Sequence, residues 1–419
     1  MNKLLFLTLL TITTCKNWAV LVAGSNGYGN YRHQSDVFHA YHILRNHGMP
    51  AEQIITFAYD DIANNRRNPF PGKVFNKPDG PDVYEGVVID YKGANVTPEK
   101  FVAVLTGDET VAGGKVLKST SEDNVFVYFS DHGGVGLIAF PSSYLYADKL
   151  NAALLKMHEN KMYKKLVFYL EACESGSMFQ NKLPNDIKIW ATTAATPSQS
   201  SWAYYCGNEA KVNGTLIGSC LGDEYSIRWM EHSDVADMEV VTLQEQYELV
   251  KKQTLKSQVQ LYGDMSMKDD KLIEYQGQKN AVGFLQKVLS YVPGFRYLTD
   301  EYHNRVNNEN MRLYYLKQLM ENTNDLEDQM NYYKEIEAEA RAQKIFEIFN
   351  KQFKLGEMNH DNKIDFECYR RSVKYYENAC GMEIDRDFKF MKHIANFCST
   401  RHSPVQAMHA FNDICKRKF

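Results

Sequence analysis

The amino-acid sequence predicts an α/β protein, in which a mostly parallel β-sheet flanked by helices is followed by an all-α C-terminal module. In the first half of the chain, short apolar runs typical of buried strands alternate with segments that have helical spacing. After Asp223 the apolar runs give way to long helical patterns, and four cysteines cluster near the C-terminus. A chain of 419 residues is long enough for one large domain and one smaller domain.

Five apolar runs are predicted as strands of the sheet, because runs of this length without polar alternation are typical of strands buried on both faces. They cover residues 18–23, 54–59, 125–129, 166–170 and 187–191. Helical spacing predicts helices at residues 35–47 and around 149–159. The alternation of strands with helices therefore predicts parallel pairs joined by right-handed crossovers.

The second half of the chain is predicted to be mainly helical, with helices at residues 242–257 and 331–353. Residues 277–309 lack clean periodicity and are predicted as a linker. The predicted divisions are a leader at 1–15, an α/β domain at 16–277, a linker at 278–324 and a helical domain at 325–419. A loop rich in proline and glycine at 68–86 is predicted to lie on the surface near the functional site.

The N-terminus is typical of a secretory signal peptide. Lys3 precedes an apolar run over residues 4–12, and small residues that end at Cys15 suit cleavage by signal peptidase. Two N-glycosylation triplets, which begin at Asn95 and Asn213, fit the same compartment. The sequence therefore predicts a protein that enters the secretory pathway.

Charge and hydropathy exclude two classes of partner. A net charge of -4 and a pI near 6.3 argue against binding to nucleic acid or to an anionic membrane surface. No segment after the leader offers about 18 uninterrupted apolar residues, so we expect the mature protein to be soluble.

The cysteines point to one reactive thiol. In an oxidising compartment most cysteines pair, and Cys206 and Cys220 bracket a short loop that they could close. Cys15 belongs to the leader, and the other paired candidates lie near the C-terminus. These four are Cys368, Cys380, Cys398 and Cys415. Cys173 is left alone, as either a partner for another chain or a reactive thiol.

Two predicted strands end in polar turns that contain glycine, and these turns carry His132 and Cys173. Ligands of open α/β sheets bind beyond the carboxyl ends of the strands, so neighbouring parallel strands would deliver both side chains to one crevice. Imidazole can take the proton of a thiol, which makes Cys173 the candidate nucleophile and His132 its base. The backbone N–H groups of Gly133 and Cys173 are candidates for an oxyanion site.

Other chemistries fit the residues less well. A papain-like protease has its cysteine before its histidine, whereas His132 here precedes Cys173. A zinc site would need more His or Cys at short spacing. The acidic stretch at residues 359–365 lacks the glycine that a calcium loop requires, so no metal and no cofactor are expected.

Several motifs together resemble those of the legumains, which are asparaginyl endopeptidases (vacuolar processing enzymes) with a caspase-like fold. The matching segments are residues 23–27, 30–34, 131–133, 171–178, 191–195, 221–226 and 322–327. The resemblance implies that Cys173 attacks the scissile carbonyl, that His132 moves the proton and that Asn30 orients His132. It also implies an S1 pocket, which would be lined by Arg32, His33, Glu171, Ser201 and Asp223.

That pocket composition makes chemical sense for asparagine, whose carboxamide offers one acceptor oxygen and two donor hydrogens. A guanidinium can serve the oxygen and carboxylates can serve the hydrogens. We therefore expect cleavage after aspartate only at acid pH, where protonation removes its repulsion from Glu171 and Asp223.

The resemblance further implies a zymogen, in which the C-terminal helical domain is a prodomain that covers and inhibits the active site. It implies the disulfides Cys368–Cys398 and Cys380–Cys415. Asn322 and Asn324 precede the helical domain and are the predicted positions of self-cleavage, with acid freeing the domain. The implied partners are asparagine-containing proteins and peptides together with cystatin-type inhibitors, and the implied location is the lysosome, the vacuole or the extracellular space.

Two alternatives remain open at this point. The same residues would serve an asparaginyl peptide ligase if an amine reached the thioester before water did. A non-catalytic secreted protein that binds proteases through its helical domain is the other alternative, although it would be expected to lack the nucleophile or the base. Product analysis with an amine acceptor separates the first alternative from hydrolysis.

Overall fold

A computed structural model of the protein describes residues 15–278, 303–322, 325–400 and 402–417. The strands are β1 (Asn17–Ala23), β2 (Ile54–Phe57), β3 (Asn124–Ser130), β4 (Gly133–Gly134), β5 (Leu137–Phe140), β6 (Ser143–Tyr146), β7 (Lys165–Glu171), β8 (Ile189–Thr193), β9 (Trp202–Tyr204), β10 (Lys211–Val212), β11 (Thr215–Leu216), β12 (Gly222–Asp223), β13 (Gln260–Gly263) and β14 (Arg305–Asn307). The helices are α1 (Tyr31–Asn46), α2 (Pro98–Leu105), α3 (Glu109–Ala112), α4 (Ala147–Glu159), α5 (Glu224–Val235), α6 (Leu243–Gln253), α7 (Met311–Asn322), α8 (Leu326–Phe353), α9 (Phe366–Cys380), α10 (Ile384–Asp387), α11 (Met391–Cys398) and α12 (Pro404–Ile414).

A six-stranded sheet forms the centre of the larger domain, with the strand order β13-β8-β7-β3-β1-β2. Its strands are parallel except for β13, which pairs antiparallel with β8 at one edge. Helices α1, α5 and α6 contribute to the apolar core on one face, and α2 and α4 contribute to the core on the other. Burial on both faces explains the uninterrupted apolar runs of the sequence, and the prediction of a mostly parallel sheet flanked by helices is confirmed.

The two strands predicted to carry the site, β3 and β7, are parallel neighbours. Their register pairs Asn124 with Lys165 at one end and Ser130 with Glu171 at the other. Both strands therefore end at the same level, and the turns that follow them leave the sheet side by side.

The C-terminal domain is a helical bundle closed by two disulfides. Its core is aromatic: the ring of Phe349 in α8 stacks on that of Phe411 in α12, with ring centroids 4.6 Å apart. The disulfides join Cys368 to Cys398 and Cys380 to Cys415, and these are the pairings that the resemblance implies. The third disulfide of the described residues joins Cys206 to Cys220 in the larger domain.

The bundle packs on the hairpin strands that follow β3. Val135, Leu137 and Ala139 belong to the same apolar cluster as the bundle core. The Tyr369 hydroxyl of α9 donates to the carbonyl oxygen of Val135 at 3.0 Å. Because this hairpin directly follows His132, the bundle covers the carboxyl end of the sheet.

The segment predicted as a linker, residues 278–324, contains regular structure. Residues 305–307 form β14, which pairs antiparallel with β9, and residues 311–322 form α7, which packs on α8. The sequence missed both elements because the segment is polar and has no amphipathic period. Residues 308–310 form a 3-10 turn between these two elements. Residues 279–302 and 323–324 of the segment, and the predicted leader up to residue 14, lie outside the described residues. Over the described residues, no helix combines the length and the apolar character needed to cross a bilayer.

Replacement of Phe349 by alanine tests the aromatic core of the bundle. Phe349 is fully buried and contacts the rings of Phe353, Phe397 and Phe411. Loss of a buried phenylalanine leaves a cavity, so we expect Phe349→Ala to lower the free energy of unfolding of the bundle by about 3–5 kcal/mol. Denaturant unfolding measures this change, with Tyr333→Ala, at an exposed position of the same helix, as control. Equal losses in the two variants would contradict the packing described.

Candidate active site

The turn after β7 presents Cys173. Glu174 adopts a left-handed backbone with φ 48° and begins a short 3-10 turn over Ser175–Met178. The Glu174 N–H donates to the carbonyl oxygen of Gln199 at 2.7 Å, which fixes the turn against the loop after β8. Gly176 is required here, because a Cβ atom would stand 2.5 Å from the hydroxyl oxygen of Tyr262.

The turn after β3 presents His132 and touches the Cys173 turn. The Asp131 N–H donates to the carbonyl oxygen of Glu171 at 3.1 Å, so the two strand ends remain joined beyond the sheet. A Cβ atom on Gly133 would collide with the carbonyl oxygen of Cys173. Glycine therefore permits a backbone approach that places the histidine turn directly beside the cysteine turn.

His132 is held by groups from both domains. Its Nε2 atom lies 2.9 Å from the Oδ1 atom of Asn30 and 3.6 Å from the Oδ1 atom of Asp385 in α10. Burial lowers the pKa of His132 to about 4, although the carboxylate of Asp385 acts in the opposite direction. The imidazole is therefore neutral over most of the physiological range, as a proton acceptor must be.

Cys173 is unpaired and buried, with 3% of its surface exposed. Its Sγ atom lies 3.1 Å from the Oγ atom of Ser200 and 3.4 Å from the backbone nitrogen of Ser201. Burial raises the pKa of the Cys173 thiol, and the carboxyl groups of Glu174 and Glu309 raise it further. In this structure the thiol is therefore held in its protonated, unreactive form.

A charged pocket adjoins Cys173, and all five residues predicted to line it meet there. The Nε atom of Arg32 lies 3.1 Å from the Oδ1 atom of Asp223, and the Nε2 atom of His33 lies 3.5 Å from its Oδ2 atom. Glu171 accepts hydrogen bonds from the backbone nitrogen and the hydroxyl of Ser226, each at 2.9 Å. The fifth residue, Ser201, is 1% exposed.

Burial governs the ionisation of this pocket. It raises the pKa of Glu171 well above its ordinary value, and the neighbouring carboxylate of Asp223 adds to the effect. Burial also raises the pKa of Asp223, against the opposing attraction of Arg32. The pKa of His33 is lowered by burial and then by Arg32. The pocket thus combines a permanent guanidinium charge, carboxyl groups and a neutral imidazole in a site without solvent.

An asparagine of the chain itself occupies the pocket. The Nδ2 atom of Asn308 donates to the Oδ1 atom of Asp223 and to the Oγ atom of Ser201, both at 2.8 Å. Its backbone N–H donates to the carbonyl oxygen of Ser201 at 3.1 Å, which continues the pairing of β14 with β9. Sequence reasoning missed Asn308, although the asparagine-rich stretch over residues 304–310 was a visible signal.

One cluster has the composition of a metal site. Ligand atoms of His33, Asp131 and His132 lie within 4.8 Å of one another, the one such group found in the described part of the chain. Two of these side chains already have polar partners: the Nδ1 atom of His33 lies 2.6 Å from the Ser25 hydroxyl, and His132 contacts Asn30. These contacts are those expected of a hydrogen-bonded catalytic base.

The other predicted sites within the described residues lie at the surface. Asn95 and Asn213, the candidate glycosylation positions, are both exposed. Asn322 is the exposed last residue of α7, far along the chain from the pocket-bound Asn308, and Asn324 lies outside the described residues.

Comparison with known proteins gives a consistent result. Residues 17–278 match the Peptidase C13 family, and residues 316–415 match the family described as Legumain, prodomain. Legumain of Mus musculus is 40% identical over 419 residues, which cover 96% of this chain and 92% of that protein. Vacuolar-processing enzyme beta-isozyme 1 of Oryza sativa subsp. japonica is 39% identical over 431 residues, which cover 96% of this chain and 84% of that protein.

Two further comparisons cover less of the chain. Hemoglobinase of Schistosoma mansoni is 52% identical over 270 residues, which cover 64% of this chain and 61% of that protein. Among solved structures, caspase-1 from Spodoptera frugiperda superposes with a TM-score of 0.39 at 12% identity, over 64% of this chain and 92% of that chain.

Replacement of Gly133 by alanine tests the contact between the two turns. The added methyl group would force the histidine turn away from the carbonyl of Cys173. A displacement near 1 Å lowers catalytic rates by about 100-fold, so we expect a loss of peptidase activity of that order. The overpacked contact should also lower the free energy of unfolding by about 1–3 kcal/mol. Gly356→Ala is the matched control, since a Cβ atom at that position meets no atom within 4 Å. Retention of activity by Gly133→Ala would mean that the close approach is not needed.

Proposed function

Because this chain belongs to the peptidase C13 family and carries a legumain prodomain, we propose that it is an asparaginyl endopeptidase made as a zymogen. Membership of the family makes the chain a cysteine endopeptidase. The finer assignment gives Cys173 the role of nucleophile and His132 that of base, and it makes the charged pocket the site that selects asparagine.

The observation that carries the assignment is the carboxamide of Asn308 in the charged pocket. Its NH₂ group donates to two acceptors, Asp223 and Ser201, which an aliphatic side chain or an ionised carboxylate could not satisfy. The Oδ1 atom of Asn308 and the Nη2 atom of Arg32 are both buried and without a hydrogen bond to any described residue. A small shift that let Arg32 donate to this oxygen would satisfy both groups, and it would complete recognition of the carboxamide.

The reaction follows from the arrangement of the two turns. His132 removes the proton of Cys173, and the thiolate attacks the backbone carbonyl carbon of the bound asparagine. The backbone N–H groups of Gly133 and Cys173 stabilise the oxyanion as the tetrahedral intermediate forms. His132 then gives its proton to the leaving amine, which leaves a thioester on Cys173. Attack by water on the thioester releases the acid and restores the thiol.

Latency is supported by three contacts. Asp385 of the prodomain lies against His132 and accepts a hydrogen bond from Asn30 at 3.0 Å, so it occupies the groups that would orient the base. Glu309 adds negative charge beside the thiol. The Glu309 N–H donates to the Oδ1 atom of Asn307 at 2.9 Å, which draws the bond after Asn308 into a helical turn instead of an extended substrate conformation.

Acid activation is supported by the ionisation of buried histidines. The prodomain-covered form keeps His132 neutral, with a pKa of about 4. The ordinary pKa of histidine is about 6.5. The free energy that neutral His132 contributes to prodomain docking is therefore fully present above pH 6.5, and it is lost as the pH falls from about 6.5 toward 4. His393 lies inside the bundle, where it contacts Asn350 and Phe346. Burial lowers its pKa to about 4, so acid weakens the fold of the prodomain itself.

One group works against acid release. Burial, followed by the carboxyl group of Glu309, raises the pKa of Glu174 well above its ordinary value. A raised carboxyl pKa stabilises the covered form at low pH, and this stabilisation is lost as the pH rises. We propose that the two histidines outweigh Glu174, so that the prodomain is released in acid.

The disulfides and the exposed glycosylation triplets support passage through the secretory pathway. Because relatives include a vacuolar-processing enzyme, we place the protein in a lysosomal or vacuolar compartment, where acid is available.

The position of self-cleavage can be read from the new N-terminus. We expect the full-length chain in acid to be cut after Asn308, which gives a fragment that begins with Glu309, and we expect Cys173→Ala to stay intact. Asn308→Gln should slow this cut by at least about tenfold, because one extra methylene misplaces the carboxamide. Asn322→Gln is the matched control. Mass spectrometry of the fragments measures each outcome.

Fragments that begin with Thr323 or Asp325 would instead place the cut after Asn322 or Asn324. Processing of Cys173→Ala without added protease would overturn self-cleavage altogether.

The pH dependence of cleavage after aspartate tests the pocket. A protonated aspartate can donate to Asp223 as asparagine does, whereas an ionised aspartate only repels it. With an ordinary pKa of about 3.9, the protonated fraction falls about tenfold per pH unit above pH 5. We expect the ratio of kcat/KM for matched Asn and Asp peptides to rise by about that factor per unit. A ratio independent of pH would contradict the role of Asp223.

A further inference from the structure

Arg305, three residues before Asn308, occupies a second buried site. Its Nε atom lies 2.6 Å from the Oε1 atom of Glu224, and the two side chains are only 7% and 1% exposed. Its guanidinium carbon lies 5.0 Å from the centre of the Tyr204 ring, a cation–π distance. Arg305 and Tyr204 are opposite each other in the pairing of β14 with β9.

The carboxylate that receives Arg305 is fixed by the larger domain alone. Glu224 begins α5, directly after the pocket residue Asp223. Its two oxygens accept hydrogen bonds from the backbone nitrogens of Leu255 and Lys256, both at 3.2 Å. A buried carboxylate with backbone donors alone would lack a countercharge at this position, and the guanidinium supplies it.

The aromatic part of this site is also fixed by residues of the larger domain, independently of Arg305. The guanidinium carbon of Arg228 lies 4.7 Å from the centre of the same Tyr204 ring, and Arg228 donates to the Tyr204 hydroxyl. Tyr204 is completely buried. The ring orientation is thus set by α5, so the site is ready for a planar cation that stacks on the ring and reaches Glu224.

We propose that Glu224 and Tyr204 form a specificity subsite that selects arginine at the third residue before the cleaved asparagine. The proposal rests on the proposed function, because it treats residues 305–308 as bound in the manner of a substrate strand. That treatment follows from geometry: the segment adds to the edge of β9 by backbone pairing, and its last side chain fills the asparagine pocket. The preferred substrates are thus Arg-X-X-Asn sequences.

The other two positions of the strand provide weaker selection. Val306 packs on the cluster around the Cys206–Cys220 disulfide, which offers apolar contact without a charge. The Oδ1 atom of Asn307 accepts a hydrogen bond from the Ser200 hydroxyl at 2.7 Å, in a site that is only partly buried. Arginine at the position of Arg305 gains a charge-assisted hydrogen bond in a dry environment, which makes that position the most selective of the three.

Two peptides test the subsite on the acid-processed wild-type enzyme. One is Arg-Val-Asn-Asn with a fluorogenic amide after the last asparagine, and the other has citrulline, the neutral isostere, in place of arginine. We expect kcat/KM to be at least about tenfold higher for arginine, as one charge-assisted hydrogen bond provides. The enzyme's own residues 303–308 can compete with the peptides for the groove. Such competition lowers kcat/KM equally for the arginine and citrulline peptides, so the ratio of the two values does not change.

The variant Glu224→Gln should reduce this ratio to about threefold or less, since a neutral amide gives a weaker hydrogen bond than a carboxylate. Glu248→Gln makes the same charge change on the exposed face of α6 and should leave the ratio as in the wild type. If Glu224→Gln does not fold, the comparison of the two peptides on the wild-type enzyme still tests whether the enzyme selects arginine.

The outcomes separate the two proposals. Cleavage of both peptides at equal rates would overturn the arginine subsite and leave the asparaginyl endopeptidase intact. An unchanged arginine preference in Glu224→Gln would show that the selection arises elsewhere. If neither peptide is cut, or if replacing the last asparagine by alanine does not stop cleavage, the proposed function itself is wrong.

Discussion

The parallel, in-register pairing of β3 with β7 is the constraint on which the site depends. Seven paired positions bring Ser130 level with Glu171, so the residues two steps beyond each strand emerge side by side. Burial of both strands on both faces makes a slip of register costly, because every apolar side chain would have to find a new site. Gly133 then allows the two turns to touch. The position of His132 relative to Cys173 is thus fixed by the packing of the two strands in the core of the sheet.

The same constraint places Glu171 in the charged pocket, since it is the last residue of β7. Burial of Arg32, Asp223 and Glu171 in a pocket closed to solvent lowers the stability of the fold unless their charged groups are paired. In the proenzyme, Asn308 supplies part of that compensation, and Arg305 supplies the countercharge for Glu224 in the adjacent site. The segment that blocks the groove is therefore held by the interactions that we propose for substrates.

The helical domain adds contacts that a substrate does not make. Its aromatic core is continuous with the apolar side chains of the hairpin after His132, so the bundle packs on the element that directly follows His132. Asp385 engages His132 and Asn30 from this platform. The ion pair of Arg370 with Asp148 also joins the two domains, and partial exposure of both side chains to solvent weakens it. Arg67 pairs with the buried carboxylate of Asp328. Since Asp385 contacts His132 directly, the protonation state of His132 is one of the factors in the acid release that we propose.

The sequence by itself determined the five parallel strands of the sheet, the turns that carry His132 and Cys173, and the unpaired state of Cys173, but it missed the antiparallel edge strand β13. Each of these features follows from a local sequence pattern or from the number of cysteines, because apolar runs and an unpaired cysteine can be recognised in the sequence without knowledge of the fold. Only the tertiary structure decided that Asn308, and not a position beside Asn322, fills the pocket, and that Arg305 meets Glu224. These contacts join residues 85 and 81 positions apart, within a polar segment that has no period of its own. Such pairings arise when a folded surface offers complementary groups, and that surface does not exist until the sheet has formed.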